Sequence, residues 1–281
     1  MNLRHILPSA IGTLMEWAEF SYYGYLATLF ARLFFPELAT TLGIMASLSA
    51  FAMSYVARPF GAYLFGYIGD RHGRRAALMG SLLLMGIVSI AMGLLPTYQT
   101  AGNTAVVLLL IFRFMQGIAV SGEGACAAVY LIELQPKRPY FISSFISTAA
   151  ALGMFVGVLL AFIVSLPQMP AWAWRVPFYF GGVMCGVGIY IRCSLNETLH
   201  MDLIKQLTRS PVVTIAQEHK LVFIKVMALA AFVGIYIYTC NVWWVSFSIE
   251  HDYFSAHDAR LLAAIGQAFV VVLIPCVSWL A

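Results

Sequence analysis

Long runs of apolar residues, separated by short polar turns, repeat along almost the whole chain. Each run is close to the roughly 20 residues that a helix needs to cross the hydrocarbon layer of a bilayer. A window of that length predicts eight membrane-spanning helices: Pro8–Arg32, Ile44–Ile68, Ala76–Leu95, Thr104–Leu131, Phe141–Leu166, Trp174–Ile191, Leu221–Phe247 and Ala259–Leu280. The pattern therefore predicts an all-α integral membrane fold.

One long polar stretch divides these spans into a group of six and a group of two. The residues at 193–220 carry most of the polar and charged positions between the sixth and seventh spans. Such a stretch is typical of a linker between helical units. We expect a six-helix transmembrane bundle over 1–192, a linker over 193–220 and two helices of a second, incomplete bundle over 221–281.

Composition supports the membrane interpretation and narrows the possible chemistry. Hydrophobic residues make up 62% of the chain and charged residues 10%, with a mean hydropathy of +0.86. These values lie outside the range of soluble domains. The five cysteines form no CxxC pair and have no histidine at metal-ligand spacing. We therefore expect no metal, no cofactor and no catalysis.

Basic residues indicate how the predicted helices lie in the membrane. Lys and Arg in short loops are retained on the cytoplasmic side. Eleven basic residues fall at one set of helix ends, and only Arg32, Arg175 and Arg260 fall at the other. The sequence thus predicts a cytoplasmic N-terminus and a cytoplasmic linker. The net charge of +4 follows from this topology, so nucleic acid is not an expected partner.

The densest charge cluster, "GYIGDRHGRR", lies in the turn between the second and third predicted spans. Basic residues alone would be ordinary in a cytoplasmic turn. The glycines around the acid are not explained in that way, since they allow close helix approach and a sharp turn. We predict a gate in which the acid and the arginines form contacts that break in another conformation. Its residues are Gly66, Asp70, Arg71, Gly73, Arg74 and Arg75.

Five charged residues fall inside the predicted spans, namely Glu16, Glu19, Arg58, Arg113 and Glu123. A charge in lipid is costly and normally faces a partner or a wet cavity. With a rise of about 1.5 Å per residue, Glu16, Glu19 and Arg58 come to similar depths. Three acids against two bases leave one carboxylate that can bind and release a proton. Glu16 and Glu19, one turn apart, are the first candidates for proton coupling because both cannot ionise cheaply together.

The two arginines are candidates for substrate binding, because a guanidinium holds a carboxylate in bidentate fashion. The alternative is that the intramembrane charges are pairs that only fix helix register. Further substrate-binding candidates are aromatic residues that can cage a quaternary ammonium and polar residues within spans: Trp17, Tyr23, Gln116 and Asn241.

Several motifs resemble the major facilitator superfamily and, within it, the metabolite:proton symporter family. The residues from Gly66 to Arg75 match the loop pattern G-x-x-x-D-R-x-G-R-R of the superfamily. The run from Arg113 to Gly117, with Ser121, Gly122 and Glu123, resembles the fourth-helix "RxxQG…GGE" of the narrower family. Further resemblances are "MEWAEFSYYGYLA" at Met15–Ala27, "ARPFGAYLFG" at Ala57–Gly66, "WRVPF" at Trp174–Phe178 and "ETLHM" at Glu197–Met201.

The resemblance implies twelve helices in two bundles, with a substrate site between the bundles near the middle of the membrane. The chain has room for eight helices, so we expect a truncated product or fragment. The resemblance also implies proton-coupled symport of a small carboxylate or zwitterionic metabolite in the bacterial inner membrane, with Glu123 as an alternative proton carrier. The alternative function is that of a non-transporting membrane protein, such as a remnant, a sensor or an assembly subunit.

Overall fold

The computed structural model describes residues 3–134, 139–193 and 220–280, with side chains over 10–122, 144–191, 193 and 220–278. This part of the chain is built from helices joined by short turns. The α-helices are α1 Leu3–Tyr25, α2 Ala27–Phe34, α3 Thr40–His72, α4 Arg74–Leu94, α5 Tyr98–Ala101, α6 Asn103–Leu134, α7 Pro139–Val164, α8 Val176–Arg192, α9 Lys220–Tyr238, α10 Trp244–Glu250 and α11 Ala256–Leu280. The residues predicted as a linker lie almost wholly outside the described ranges.

Helices occupy all eight predicted positions, and the all-α membrane fold is confirmed. Six of the described helices are long and apolar enough to cross a membrane. Two predicted spans are subdivided in the structure. The first is divided at Leu26 into α1 and α2, and the seventh contains a π-helical turn, Thr239–Trp243, between α9 and α10.

Helix α1 lies inside the first bundle, where it packs along α7 and also contacts α6 and α8. The other main pairs are α3 with α6, α4 with both α6 and α8, and α11 with α7. Aromatic rings fill the space next to the α1–α2 break. Tyr23 stacks on Phe30 with ring centroids 4.4 Å apart, and the fully buried Trp174 meets Phe30 edge-on. This rigid aromatic core fixes the end of α1 on which the candidate site is built.

Close backbone contact between α3 and α6 depends on Gly117. A Cβ atom at this position would overlap the carbonyl oxygen of Ser54 on α3. Only a residue without a side chain allows two helices to approach so closely. The contact brings the polar face of α6 next to α1.

Arg260 connects α11 to the ends of two helices of the first bundle. Its buried Nε donates a hydrogen bond to the Tyr25 carbonyl oxygen at 3.0 Å, and its Nη1 donates to Ser165 Oγ at 2.6 Å. Tyr25 is the last residue of α1, and Ser165 directly follows α7. The guanidinium therefore lies at the negative poles of two helix dipoles, where a cation is favoured.

Candidate functional site

The carboxylate of Glu19 is the centre of a buried hydrogen-bond network that joins three helices. Its Oε1 accepts a hydrogen bond from Gln116 Nε2 of α6 at 2.6 Å. Its Oε2 accepts a hydrogen bond from the hydroxyl of Ser89 on α4. On the other side of the network, Arg113 Nη1 donates to Gln116 Oε1 at 2.7 Å. The Gln116 carboxamide thus links the buried acid to a buried base.

All four members of this network are excluded from solvent. Arg113, Gln116 and Ser89 have no exposed surface, and Glu19 is 5% exposed. Helix α8 covers the carboxylate from a further side, since a Cβ atom at Gly181 would lie 2.9 Å from Glu19 Oε2. Buried polar groups of this kind need partners, because an unsatisfied one costs about 1–3 kcal/mol. The arrangement supplies partners to both carboxylate oxygens.

Arg113 is held by aromatic faces as well as by Gln116. Its guanidinium carbon lies 3.8 Å from the centre of the Tyr23 ring and 5.5 Å from that of Phe20. Its Nε and Nη2 have no hydrogen-bond partner within the described residues. Cation–π contacts of this kind stabilise a desolvated cation by about 2 kcal/mol or more. Tyr23 is therefore packed beneath Arg113. It is not among the residues that line the cavity between α1, α3 and α9.

A second arginine, Arg58 of α3, lies in the wall of a cavity of about 830 Å³ between α1, α3 and α9. Its guanidinium carbon lies 4.3 Å from the ring centre of Tyr55, 4.9 Å from that of Phe20 and 5.9 Å from that of Trp17. Its Nε and Nη2 are buried without a hydrogen-bond partner among the described residues. The Phe20 ring thus contacts both arginines, so one aromatic layer joins the cavity wall to the Glu19 network.

The predicted pair of glutamates is directed toward different neighbours. Glu16 is 3% exposed and lies close enough to Tyr238 of α9 to interact with it electrostatically. Glu19 instead meets α4, α6 and α8. The side chain of the third predicted acid, Glu123, lies outside the described residues, although its backbone is part of α6. The proton-coupling roles of these acids stay predictions.

Asn241 lies on the π-helical turn and is not among the residues that line the cavity beside Arg58. Its Nδ2 donates to the Ile237 carbonyl oxygen at 2.7 Å, and its Oδ1 accepts a hydrogen bond from Gln267 of α11. It lines a separate cavity of about 400 Å³. Single π-helical turns are often found at functional sites. The structure thus separates Asn241 from Trp17 and Arg58, with which the sequence grouped it.

The predicted gate residues lie together at the turn between α3 and α4. Arg74 Nη1 and Asp70 Oδ1 form an ion pair at 2.8 Å, and Arg75 Nη2 donates to the Cys193 carbonyl oxygen at 2.6 Å after α8. Arg71 donates to the hydroxyl of Tyr67 within its own helix. Gly73 has a φ of 102°, a backbone conformation that residues with a Cβ atom rarely adopt.

The two glycines before Asp70 differ in what they contact. A Cβ atom at Gly69 would lie 3.4 Å from Ala77 of α4, so this position does face the neighbouring helix. A Cβ atom at Gly66 would meet no atom within 4 Å in the described structure. Among the described residues, Gly66 therefore makes no close helix contact of the kind that the sequence predicted.

Three neighbours of the predicted site residues were not indicated by the sequence. Ser89 completes the Glu19 network, Tyr55 stacks on Arg58, and Gln267 binds Asn241. Gln267 is a polar residue inside an apolar span, and that signal was available. Ser89 and Tyr55 offered no such signal, since serines and tyrosines are common in membrane helices.

Comparison with known proteins finds that the chain is similar to membrane transporters. The model of the family described as "Sugar (and other) transporter" matches residues 6–206. The chain is 37% identical over 83% of its length to the inner membrane metabolite transport protein YhjE of Escherichia coli, covering 54% of that protein. It is 29% identical over 99% of its length to the shikimate transporter of Escherichia coli, covering 66% of it. The proline/betaine transporter of Escherichia coli is 33% identical over 72% of the chain, which covers 42% of that relative.

Among solved structures, the proton:xylose symporter XylE of the major facilitator superfamily, bound to 6-bromo-6-deoxy-D-glucose, matches with a TM-score of 0.70 and 17% identity. That match covers 97% of the chain and 68% of the symporter chain. At such low identity it supports the fold alone. The chain spans about half the length of the curated relatives it matches.

Proposed function

Because the chain belongs to the sugar (and other) transporter family, we propose that it acts in proton-coupled symport of a small carboxylate or zwitterionic metabolite. Its relatives are membrane transporters and not enzymes. The proposed mechanism is alternating access, in which one bundle rocks against the other around a central cavity. The observation that carries the proposal is the Arg113–Gln116–Glu19 network, one aromatic layer from a cavity that contains Arg58.

The substrate class is proposed from the unpartnered guanidinium atoms of Arg58. A cation buried at membrane depth is costly without an anionic partner. A carboxylate that enters the 830 Å³ cavity would become the partner of this guanidinium after a side-chain shift that turns the buried Nε and Nη2 toward the cavity. The aromatic wall of Trp17 and Tyr55 would pack against the remainder of the metabolite. Shikimate and proline/betaine, the substrates named for two relatives, also carry a carboxylate group.

Competition for binding tests this assignment. Purified protein is titrated with shikimate, proline and glycine betaine, and with xylose as an uncharged ligand, for the parent and for Arg58→Lys. We expect at least one carboxylate to bind and to lose about tenfold in affinity in the variant, because a lysine cannot form the bidentate contact. Xylose competing as well as every carboxylate would refute the substrate class.

Proton coupling is proposed because the Glu19 carboxylate is held by neutral donors, which can remain hydrogen-bonded to it in either protonation state. In the proposed cycle, Glu19 binds a proton when substrate occupies the cavity and releases it on the other side. Gln116 transmits the change to Arg113 by altering the hydrogen bond that they share. Uptake into proteoliposomes under an imposed pH gradient, with and without a protonophore, tests the coupling. Accumulation that follows a sodium gradient and ignores pH would exclude it.

The turn at Asp70 is proposed as the gate of the cytoplasmic side. Its ion pair with Arg74 and the contact of Arg75 with the end of α8 would hold this side closed and would break as it opens. Asp70→Asn keeps the size of the side chain and removes its charge. We expect slower uptake at an unchanged amount of protein in the membrane. Unchanged uptake would rule out the gate role.

The proposed location is the bacterial inner membrane, with the N-terminus in the cytoplasm. The location follows the inner membrane relative, and the orientation follows the excess of basic residues at one set of helix ends. Reporter domains that are active on one side only, fused ahead of residue 1 or inserted within 193–220, test the orientation. Both fusions should report the cytoplasmic side.

A further inference from the structure

A small pocket lies at the end of the bundle opposite the Asp70 turn. Its volume is about 270 Å³, and three separate segments of the chain contribute its walls. Arg32 comes from the last turn of α2, Thr97 and Gln99 from the connection between α4 and α6, and Trp172 and Arg175 from the connection between α7 and α8. Two of the three basic residues that the charge pattern assigns to this end of the molecule therefore line one pocket.

Arg175 is held in place before any ligand arrives. Its Nη2 donates a hydrogen bond to the Leu95 carbonyl oxygen at 2.8 Å. Its guanidinium carbon lies 4.5 Å from the ring centre of Trp174, which is itself buried at 1% exposure and accepts a hydrogen bond from Tyr22 at its carbonyl oxygen. A guanidinium fixed in this way loses little conformational entropy when it binds.

The positive charge of the pocket is not neutralised by the protein. Within the described part of the chain, neither Arg32 nor Arg175 forms an ion pair with a carboxylate. Glu37, which follows α2, lies beside Tyr98, where its carboxylate raises the pKa of that phenol. Two guanidinium groups in one pocket repel each other, and an anion between them removes that repulsion.

We propose that this pocket binds a phosphate group. Two guanidinium groups on different segments can donate to a tetrahedral phosphate from two directions, whereas a planar carboxylate is already satisfied by one bidentate arginine. The Thr97 hydroxyl and the Gln99 carboxamide supply further donors. Trp172 is 59% exposed at the rim, as is typical of tryptophans at the headgroup level of a bilayer. The phosphate of a lipid headgroup and inorganic phosphate share this chemistry.

Ligand-dependent thermal stability distinguishes the two sources. The whole chain is purified in a maltoside detergent and a buffer without phosphate, and is titrated separately with dioctanoyl phosphatidylglycerol and with inorganic phosphate. Dioctanoylglycerol, which has the same acyl chains without the phosphate, and sodium chloride at equal ionic strength are the controls. We expect phosphatidylglycerol to raise the unfolding temperature of the parent in a saturable manner. Saturation by inorganic phosphate alone would identify a dissolved ion as the source.

Variants locate the binding in the pocket. Arg32→Gln should fold normally, because Arg32 is exposed and has no hydrogen bond in the described structure, and it should weaken phosphate affinity about fivefold or more. Arg175→Lys keeps the charge, but an ammonium group lacks the paired N–H donors of a guanidinium, so the affinity for phosphate should fall. Lys220→Gln, at the other end of the bundle, removes one charge and should change nothing. Equal affinity in all four proteins, or equal stabilisation by dioctanoylglycerol, would overturn the proposal.

Discussion

At Glu19, a buried carboxylate receives hydrogen bonds from two neutral side chains and lies one carboxamide away from a guanidinium. Neither neutral donor requires the carboxylate to be charged, since a protonated acid can still accept at one oxygen. The Ser89 hydroxyl can also donate to the Met85 carbonyl oxygen, which lies 2.7 Å away, and then accept a hydrogen bond from the protonated acid. The local geometry is therefore compatible with both protonation states, which a proton carrier must adopt in turn.

Glu19→Gln separates transport from its coupling to protons. Glutamine has nearly the same shape and can still accept a hydrogen bond from Ser89 or Gln116, but it does not titrate. We expect membrane levels near those of the parent and uptake that no longer accelerates under an inward proton gradient. Glu16→Gln, measured in parallel, shows whether the effect belongs to one acid. Full coupling in Glu19→Gln and loss in Glu16→Gln would assign the carrier to the Tyr238 side of α1.

Ser89→Ala tests the energetic role of the second donor. The substitution leaves one buried oxygen of Glu19 without a partner, which should lower the free energy of unfolding by about 1–3 kcal/mol. Ser54→Ala is a matched control, because Ser54 is equally buried and its hydroxyl bonds only to the Phe51 carbonyl oxygen of its own helix at 2.6 Å. Thermal unfolding in detergent gives the comparison. An equal loss of unfolding free energy in the two variants would show that the hydrogen bond from Ser89 to Glu19 adds no stability.

The sequence predicted some members of the site and missed others for physical reasons. Glu19 and Arg113 were predicted because charges are costly inside apolar spans, and Gln116 because it lies one turn from Arg113 in the resembling motif. Ser89 could not be predicted, since a serine in a membrane helix can satisfy itself on its own backbone, as Ser54 does. The sequence predicted Tyr23 as a substrate-binding residue, whereas the structure packs it against Arg113. An aromatic residue in a span can belong either to a cavity wall or to a packed core, and the sequence does not distinguish the two.

Among the helices, the contact of α3 with α6 sets the distance between the Glu19 network and the cavity wall. Arg58 belongs to α3 and Arg113 to α6, and both touch the Phe20 ring of α1. A change that separates α3 from α6 should therefore disturb both arginines at once. Gly117 of α6 and Gly61 of α3 both lie where an added Cβ atom would overlap the backbone of the other helix.

Gly117→Ala should be strongly destabilising, since the added methyl group would overlap the Ser54 carbonyl oxygen and force two packed helices apart. We expect a marked loss of folded protein in the membrane, by about 1–3 kcal/mol or more in unfolding free energy. Gly66→Ala is the control within α3. Its added methyl group meets open space in the described structure, and alanine favours the helix by about 1 kcal/mol over glycine. Comparable yields of the two variants would show that α3 and α6 can separate without cost.

The positions of the helices followed from the hydropathy of the sequence, but their interruptions did not. Apolar character continues through Leu26, and Thr239 and Asn241 of the π-helical turn are isolated polar residues that do not by themselves predict a break. The break at Leu26 leaves the Tyr25 carbonyl oxygen to Arg260, and the π-helical turn presents Val242 to the surface of Gly24. Both interruptions coincide with contacts between residues more than 200 positions apart, which a local sequence pattern does not report.

For the whole molecule, Arg260 is the main polar connection between α11 and the first bundle. Arg260→Gln removes the donors to Tyr25 and Ser165 and should lower the unfolding temperature by about 5 °C. Arg260→Lys should have an intermediate effect, since an ammonium group keeps the charge but lacks the planar fork. Arg32→Gln serves as a control, because that arginine is exposed and makes no hydrogen bond in the described structure. Equal melting of the parent and both Arg260 variants would show that apolar packing alone joins α11 to α7.

The connection made by Arg260 has a consequence for how the two ends of the molecule respond to their surroundings. Arg260 is buried and is held by carbonyl and hydroxyl oxygens, whereas Asp70 and Arg74 form a partly exposed pair of opposite charges. Dissolved salt screens exposed charge pairs but hardly affects buried contacts with neutral dipoles. Raising the ionic strength should therefore loosen the Asp70 end while leaving the Arg260 end closed. Salt concentration would then bias the molecule toward opening on one side only.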